Sequence, residues 1–174
     1  MGELSLVVAC GKNGEIGAGG GLPWPHITED MGRFVRCTAD KVVVMGRKTW
    51  ASLPPYNRPL HGRLNLIMTR DPAGFYRDHP RFESNALAVI DPMQTLFVAG
   101  DRDLCVIGGA VIYAIFLPLA TKVFLTRIDA EYPAADTIMP GWPFDPDLWH
   151  EEIDPRGNKS SDPRVTFSTL TRKP

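Results

Sequence analysis

Long apolar runs are missing from this chain. No uninterrupted segment reaches the roughly 20 residues needed to cross a bilayer, and Glu3 stands where a signal peptide would carry basic residues. The opening Met-Gly has Leu6 where a myristoylation motif needs Ser or Thr. A cytoplasmic protein with no membrane partner is expected. Charge of one sign is also lacking: 19 basic residues face 20 acidic ones, for a net charge of −1. That balance makes no global field to recruit nucleic acid, so a small molecule is the expected partner. Cysteine is scarce, and Cys10, Cys37 and Cys105 lie far apart in apolar surroundings. They argue against a disulfide framework and read as buried thiols. His26, His61, His79 and His150 show no metal-ligand spacing, so no metal is expected. Repeats and linkers are absent too, and 174 residues suit one domain, 1–174, with a substantial core.

What is present alternates between strands and helices. Residues 4–10, 41–45 and 104–107 are continuous apolar runs, as expected of strands covered on both faces. Further strands are predicted at 63–70, 86–90 and 122–128, and 148–153 with 165–170 alternate well enough to form an antiparallel closing hairpin. Helices are predicted from Thr28, over 46–52, from Asp91-Pro92 through Val98, and after Gly108-Gly109. The sum is an α/β fold with a central, mostly parallel eight-stranded sheet, an antiparallel C-terminal hairpin and about four flanking helices. Residues 11–21, with six glycines, are predicted to form an irregular loop, as are 134–137 and 140–146.

Three stretches carry chemistry. A stiff Pro23-Trp24-Pro25 corner precedes Thr28, a good N-cap, and Asp30 then falls in the first helical turn. Asp30 shares a face with Phe34; if that face packs on the sheet, the carboxylate must find a partner, Arg33 being the one base at helical spacing. The plainer alternative is an exposed acid that serves the helix dipole. The second stretch is the strand-to-helix turn Gly46-Arg47-Lys48-Thr49, which is either an anion site joined by Arg70 or a solvated basic turn. The third is Gly108-Gly109, which opens a helix and is either a close-approach point for a pyrophosphate or a tight turn. Neither the P-loop ending nor the Gly-x-Gly-x-x-Gly fingerprint is present.

Taken together, Ile16-Gly17, Leu22-Pro23-Trp24, Asp30-Met31 with Phe34, 44–50, Pro59-Leu60 with Gly62-Arg63, Ile107-Gly108-Gly109 with Tyr113, and Leu125-Thr126 resemble dihydrofolate reductase over nearly the whole chain. The resemblance implies NADPH as cofactor, dihydrofolate as substrate, antifolates as inhibitors, and a monomer. It implies that Asp30 holds the 2-amino and N3 edge of the pterin, with Thr126 behind it and Trp24 holding a water nearby. Leu22 and Tyr113 complete the implied catalytic group. Val7, Val8, Met31, Phe34, Leu53, Leu60 and Ile107 would line the pterin and aminobenzoyl pocket, and Arg63 would pair with the substrate's glutamate α-carboxylate. Ala9, Ile16 and Gly17 would touch the nicotinamide. Gly46, Arg47, Lys48, Thr49, Thr69 and Arg70 would take the phosphates, with Gly108, Gly109, Ala110, Val111 and Tyr113 at the pyrophosphate. A cis peptide between the paired glycines is also implied. Two alternatives stand beside this: another pterin or pyrimidine reductase of the same fold, such as a riboflavin-pathway reductase, and a non-catalytic nucleotide-binding module.

Overall fold

The computed structural model describes residues 2–79, 85–154 and 162–174. Among these, the elements run β1 (Leu4–Cys10), β2 (Glu15–Gly17), α1 (Thr28–Thr38), β3 (Val42–Gly46), α2 (Arg47–Ser52), β4 (Leu64–Met68), α3 (Pro72–Asp78) and β5 (Ala86–Val89). They continue with α4 (Pro92–Ala99), β6 (Leu104–Val106), α5 (Ala110–Phe116), β7 (Lys122–Ile128), β8 (Thr137–Ile138), β9 (Trp149–Ile153) and β10 (Val165–Arg172).

The main sheet has eight strands in the order β5-β4-β3-β6-β1-β7-β10-β9. From β5 to β7 every pairing is parallel, and β10 then runs antiparallel to both β7 and β9. The eight predicted strands are all there. Apolar continuity explains why the middle of the sheet is legible: Val42, Val43, Val44 and Met45 are all completely buried, each contributing roughly 1.5–3 kcal/mol relative to exposure. Alternation sends Val42 and Val44 into one core cluster, with Leu6, Val106 and Phe116, and sends Val43 and Met45 into another, with Trp50, Ile67 and Phe75.

The structure departs from the sequence expectation in three places. A fifth helix, α3, occupies part of the segment after Arg70. Asp71 caps it, its side chain accepting from the Gly74 N–H at 2.8 Å, and Pro72 stands in its first turn. Residues 15–17 and 137–138, expected as loop, pair antiparallel as a two-stranded sheet. Their backbone groups find long-range partners that no local pattern announces: the Asp136 N–H donates to the Gly17 carbonyl and the Met139 N–H to that of Gly14. Thr28, expected as an N-cap, lies inside α1. Ile27 holds the extended capping position, its carbonyl accepts from the Met31 N–H, and no side chain caps the end. The helix starts one residue earlier than expected, so Thr28 has helical backbone angles and does not stand at the extended capping position from which a hydroxyl reaches the first free N–H groups.

Among the described residues no helix is long and apolar enough to cross a membrane.

Candidate active site

Helix α1 carries one pole of the site, Asp30, and the anchor of the other, Thr38, which holds Arg63. Asp30, Phe34 and Thr38 are four residues apart in turn and share one face. Asp30 is partly buried near its start and faces Thr126 of β7. Burial pushes this carboxyl above its usual range, while Thr126 and the charges of Arg33 and His26 pull it back. Arg33 is not an ion-pair partner, contrary to the helical spacing. Its guanidinium reaches past Asp30 to the sheet, donating to the Leu125 carbonyl at 2.6 Å and the Ser168 carbonyl at 2.7 Å. Asp30 is therefore the half-buried acid of the sharper alternative.

At the other end of α1 the Thr38 hydroxyl donates to the Phe34 carbonyl at 2.8 Å and accepts from Arg63 Nη1 at 2.9 Å. Arg63 Nε donates to the His61 carbonyl at 2.9 Å. Two of the guanidinium's three nitrogens are thereby held, which orients a fork suited to a carboxylate. Thr38 is eight residues beyond Asp30, so at a rise of about 1.5 Å per residue the acid and the anchor of Arg63 stand ~12 Å apart along the axis. Phe34 lies midway.

The walls between the poles come from the second core cluster. Leu60 and Ile107 are buried in it, and Val7, Phe34 and Leu53 pack partly buried at its margin. Sequence reasoning misses the residue that sets Leu60: Asn65, fully buried on β4, accepts from the Leu60 N–H and donates to the Leu60 carbonyl, both at 3.0 Å. An Asn inside an apolar run is the signal that could have found it. Val8 is not brought to this wall. It follows Val7 on a strand, so its side chain goes to the opposite face and is buried in the cluster that holds Ile112 and Phe116. Met31 and Leu22 are 40% and 55% exposed. Trp24 is buried with Ile128, Val165 and Phe167, with Ala9 and Tyr132 at the edge of that group.

Tyr113 is buried, and its hydroxyl donates to the Val7 carbonyl at 2.8 Å. Burial pushes that phenol far up, so it stays neutral. Its hydroxyl is committed to strand β1, which makes it a support for the site and not a free proton donor.

The cofactor candidates converge on the next stretch of the same strand ends. The Gly46 N–H donates to the Gly108 carbonyl at 2.8 Å, which joins the basic turn to the glycine pair. The Gly108–Gly109 peptide is cis. Gly108 has φ +112°, and a Cβ there would stand 3.3 Å from the Tyr113 ring; a Cβ on Gly109 would stand 3.4 Å from Thr49 Oγ1. Helices α2 and α5 begin at Gly46 and Gly109 with no side-chain cap on either, so their first N–H groups are left for a ligand. Arg47 and Lys48 are exposed one and two residues past β3. Gly46 pairs in register with Met68, so Arg70 is exposed at the neighbouring strand end. Thr69 is buried and accepts from the Asp71 N–H at 3.2 Å, so it builds the turn that presents Arg70. Ala110 is half-buried, while Val111 is 72% exposed and its side chain does not join the core. A phosphate-bearing dinucleotide fits this set: two uncapped helix starts, a close backbone approach, and three cations.

Beside it, the glycine loop is tied down by an acid that sequence reasoning passes over. Asp136 Oδ2 accepts from the Gly19 N–H at 2.9 Å. Ile16 packs at the margin of the first core cluster, and a Cβ on Gly17 would stand 3.1 Å from the Thr137 side chain.

Comparison with known proteins agrees with this geometry. The family model described as dihydrofolate reductase matches residues 3–172. Dihydrofolate reductase of Neisseria meningitidis is 38% identical over 140 residues, covering 77% of this chain and 81% of that protein. The Mycobacterium tuberculosis protein of the same name is 34% identical, covering 80% and 81%, and that of Mus musculus is 32% identical, covering 79% and 78%. With a match over nearly its whole length and a site built on the matching residues, the chain belongs to the dihydrofolate reductase family of oxidoreductases.

Proposed function

We propose that this chain reduces 7,8-dihydrofolate to 5,6,7,8-tetrahydrofolate with NADPH, as a cytoplasmic monomer supporting one-carbon metabolism and the synthesis of thymidylate and purines. One observation supports it above the others: a partly buried carboxylate and an oriented guanidinium lie along one helix face with an aromatic ring between them. Dihydrofolate has the complementary outline, with N–H donors on its pyrimidine edge, flat rings between, and a carboxylate at the far end.

Asp30 accepts the 2-amino and N3 hydrogens through its two oxygens, which supplies the partner that its burial demands. Phe34, Leu53 and Leu60 cover the rings, and Arg63 takes the α-carboxylate. Trp24 and Thr126 hold the surroundings of Asp30 in place. The exposed cations Arg47, Lys48 and Arg70 favour the phosphates of NADPH over those of NADH, and Gly108-Gly109 lets the pyrophosphate approach the backbone. When bound there, the dinucleotide supplies the hydride that C6 of the pterin accepts. Asp30 is occupied with the opposite edge of the ring, so its negative charge makes N5 more basic while a water admitted beneath the loop 17–24 gives N5 its proton.

The test is loss of NADPH absorbance with and without dihydrofolate. Oxidation that needs both compounds supports the proposal. NADPH binding without folate-dependent oxidation refutes it in favour of a nucleotide-binding module, and oxidation with a different pterin or pyrimidine alone would move the chain to another reductase of this fold.

A further inference from the structure

We infer that Arg33 is a positioning residue for Asp30: its fork across the β7–β10 seam fixes α1 so that Asp30 faces Thr126, and its buried charge stands one helical turn from the carboxylate that meets the ligand. The inference rests on the reading of Asp30 as the anchor of the pterin.

Among the described residues only two charged side chains are fully buried, Glu15 and Arg33. Glu15 is accounted for locally: it accepts from the Asn13 and Tyr132 N–H groups and from the Asn13 amide, fastening the turn before β2. Arg33 is 5% exposed and has no carboxylate accepting from it among the described residues. Its donors go to neutral oxygens, the carbonyls of Leu125 and Ser168 and, at 3.5 Å, Thr169 Oγ1, and its guanidinium lies 5.3 Å from the centre of the Phe167 ring.

Leu125 and Ser168 are register partners on β7 and β10, so one guanidinium bridges two paired strands. The next residue on β7 is Thr126, which Asp30 faces. Asp30 and Arg33 stand three residues apart on α1, hence on neighbouring faces of one turn. The fork thus fixes the height and rotation of α1 at the residue that must meet Thr126.

An apolar side chain would fill this space at lower desolvation cost. A full charge kept there, with only dipoles as direct hydrogen-bond partners, acts on the acids near it, Asp30 and Asp154. The groups around Asp30 are His26 from the preceding loop, Arg33 on α1, neutral Tyr113 on α5 and Thr126 on β7. His26 is exposed and screened by solvent, which leaves Arg33 as the buried positive charge. On its other sides Arg33 faces Cys37 and Arg36 on α1 and Asp154 just past β9.

The experiment compares wild type with R33K and R33Q in three readouts: 13C titration of the Asp30 carboxyl in ligand-free protein, binding of a 2,4-diaminopyrimidine followed by tryptophan fluorescence across pH, and KM against kcat. R33Q should titrate Asp30 at a higher pH than wild type, move the binding profile the same way, and raise KM for dihydrofolate roughly tenfold with a smaller change in kcat. R33K keeps the charge but cannot span both carbonyls, so it should keep the wild-type Asp30 midpoint while still raising KM. An unchanged Asp30 midpoint in R33Q, a midpoint in R33K shifted as far as in R33Q, or an unchanged KM in R33K overturns the inference. If R33Q does not fold, R33K decides alone on its KM and midpoint. The carboxyl titration needs no substrate, so it judges this inference even if wild type fails to reduce dihydrofolate, a failure that would fall on the proposed function instead.

Discussion

Replacing Asp30 by Asn tests the centre of the site. The substitution is nearly isosteric and leaves Thr126, Phe34 and Arg63 in place. In the proposed complex it removes an anion that accepts two hydrogen bonds from the pyrimidine edge. Hydrogen bonds to charged groups are worth roughly 1.5–3 kcal/mol each, so two amount to about 3–6 kcal/mol, or on the order of 10²–10⁴ in kcat/KM at neutral pH. Ligand-free stability should move the opposite way. Burial raises the folded-state pKa of Asp30, so the stability linked to its protonated form is fully present below the unfolded pKa and is lost as pH rises through the folded one. Asp30→Asn should therefore be more stable than wild type at neutral pH without ligand, with the difference vanishing in acid. Dihydrofolate reduction and thermal melts from pH 4 to 8 measure the two sides. Near-wild-type turnover at neutral pH would make Asp30 a simple helix-start acid, and a less stable variant at neutral pH would refute the desolvation argument.

Arg47→Ala with Arg70→Ala should erase much of the preference for NADPH over NADH, read as the ratio of kcat/KM for the two; an unchanged ratio removes these residues from the cofactor site. Asp136→Ala should speed hydrogen exchange in residues 14–24 by releasing the Gly19 N–H, and NADPH with folate should slow it again; equal exchange in all states would rule out a tethered, ligand-responsive loop. A 2,4-diaminopteridine carrying the glutamate, such as methotrexate, should bind much more tightly than dihydrofolate through a charge-assisted pair with Asp30. Titrations with Asp30→Asn should show most of that advantage gone, and those with Arg63→Ala should show both ligands weakened alike; an advantage that survives Asp30→Asn would mean another group recognises the ring.

The main sheet was legible because its central strands are covered on both faces and so appear as apolar runs. Helix α3 was legible too, since Asp71-Pro72 is the same start signal as Asp91-Pro92. Val7 and Val8 illustrate another neglected rule, since the period of two forbids both side chains from lining one wall. The small β2–β8 sheet is different in kind. Its strands have three and two residues and lie more than a hundred positions apart, so no local periodicity exists to detect. The supports of the site were hidden for the same reason. Arg33 finds carbonyls 92 and 135 residues away, and Gly19 finds Asp136 at a separation of 117. Backbone carbonyls have no side-chain identity, so a partner like that of Arg33 leaves no mark in the sequence at all.

The placement on α1 of Asp30 and of Thr38, which anchors Arg63, has an evolutionary consequence. The spacing of these two residues is set by helical rise, so one inserted residue between them would turn Thr38 by about 100° and take the anchor of Arg63 off the shared face. In the proposed complex, inhibitors that lack a terminal carboxylate would engage only the Asp30 end and leave Arg63 without selective influence over them. Resistance to such compounds would then accumulate among the residues around Asp30, the region the proposed substrate could least spare.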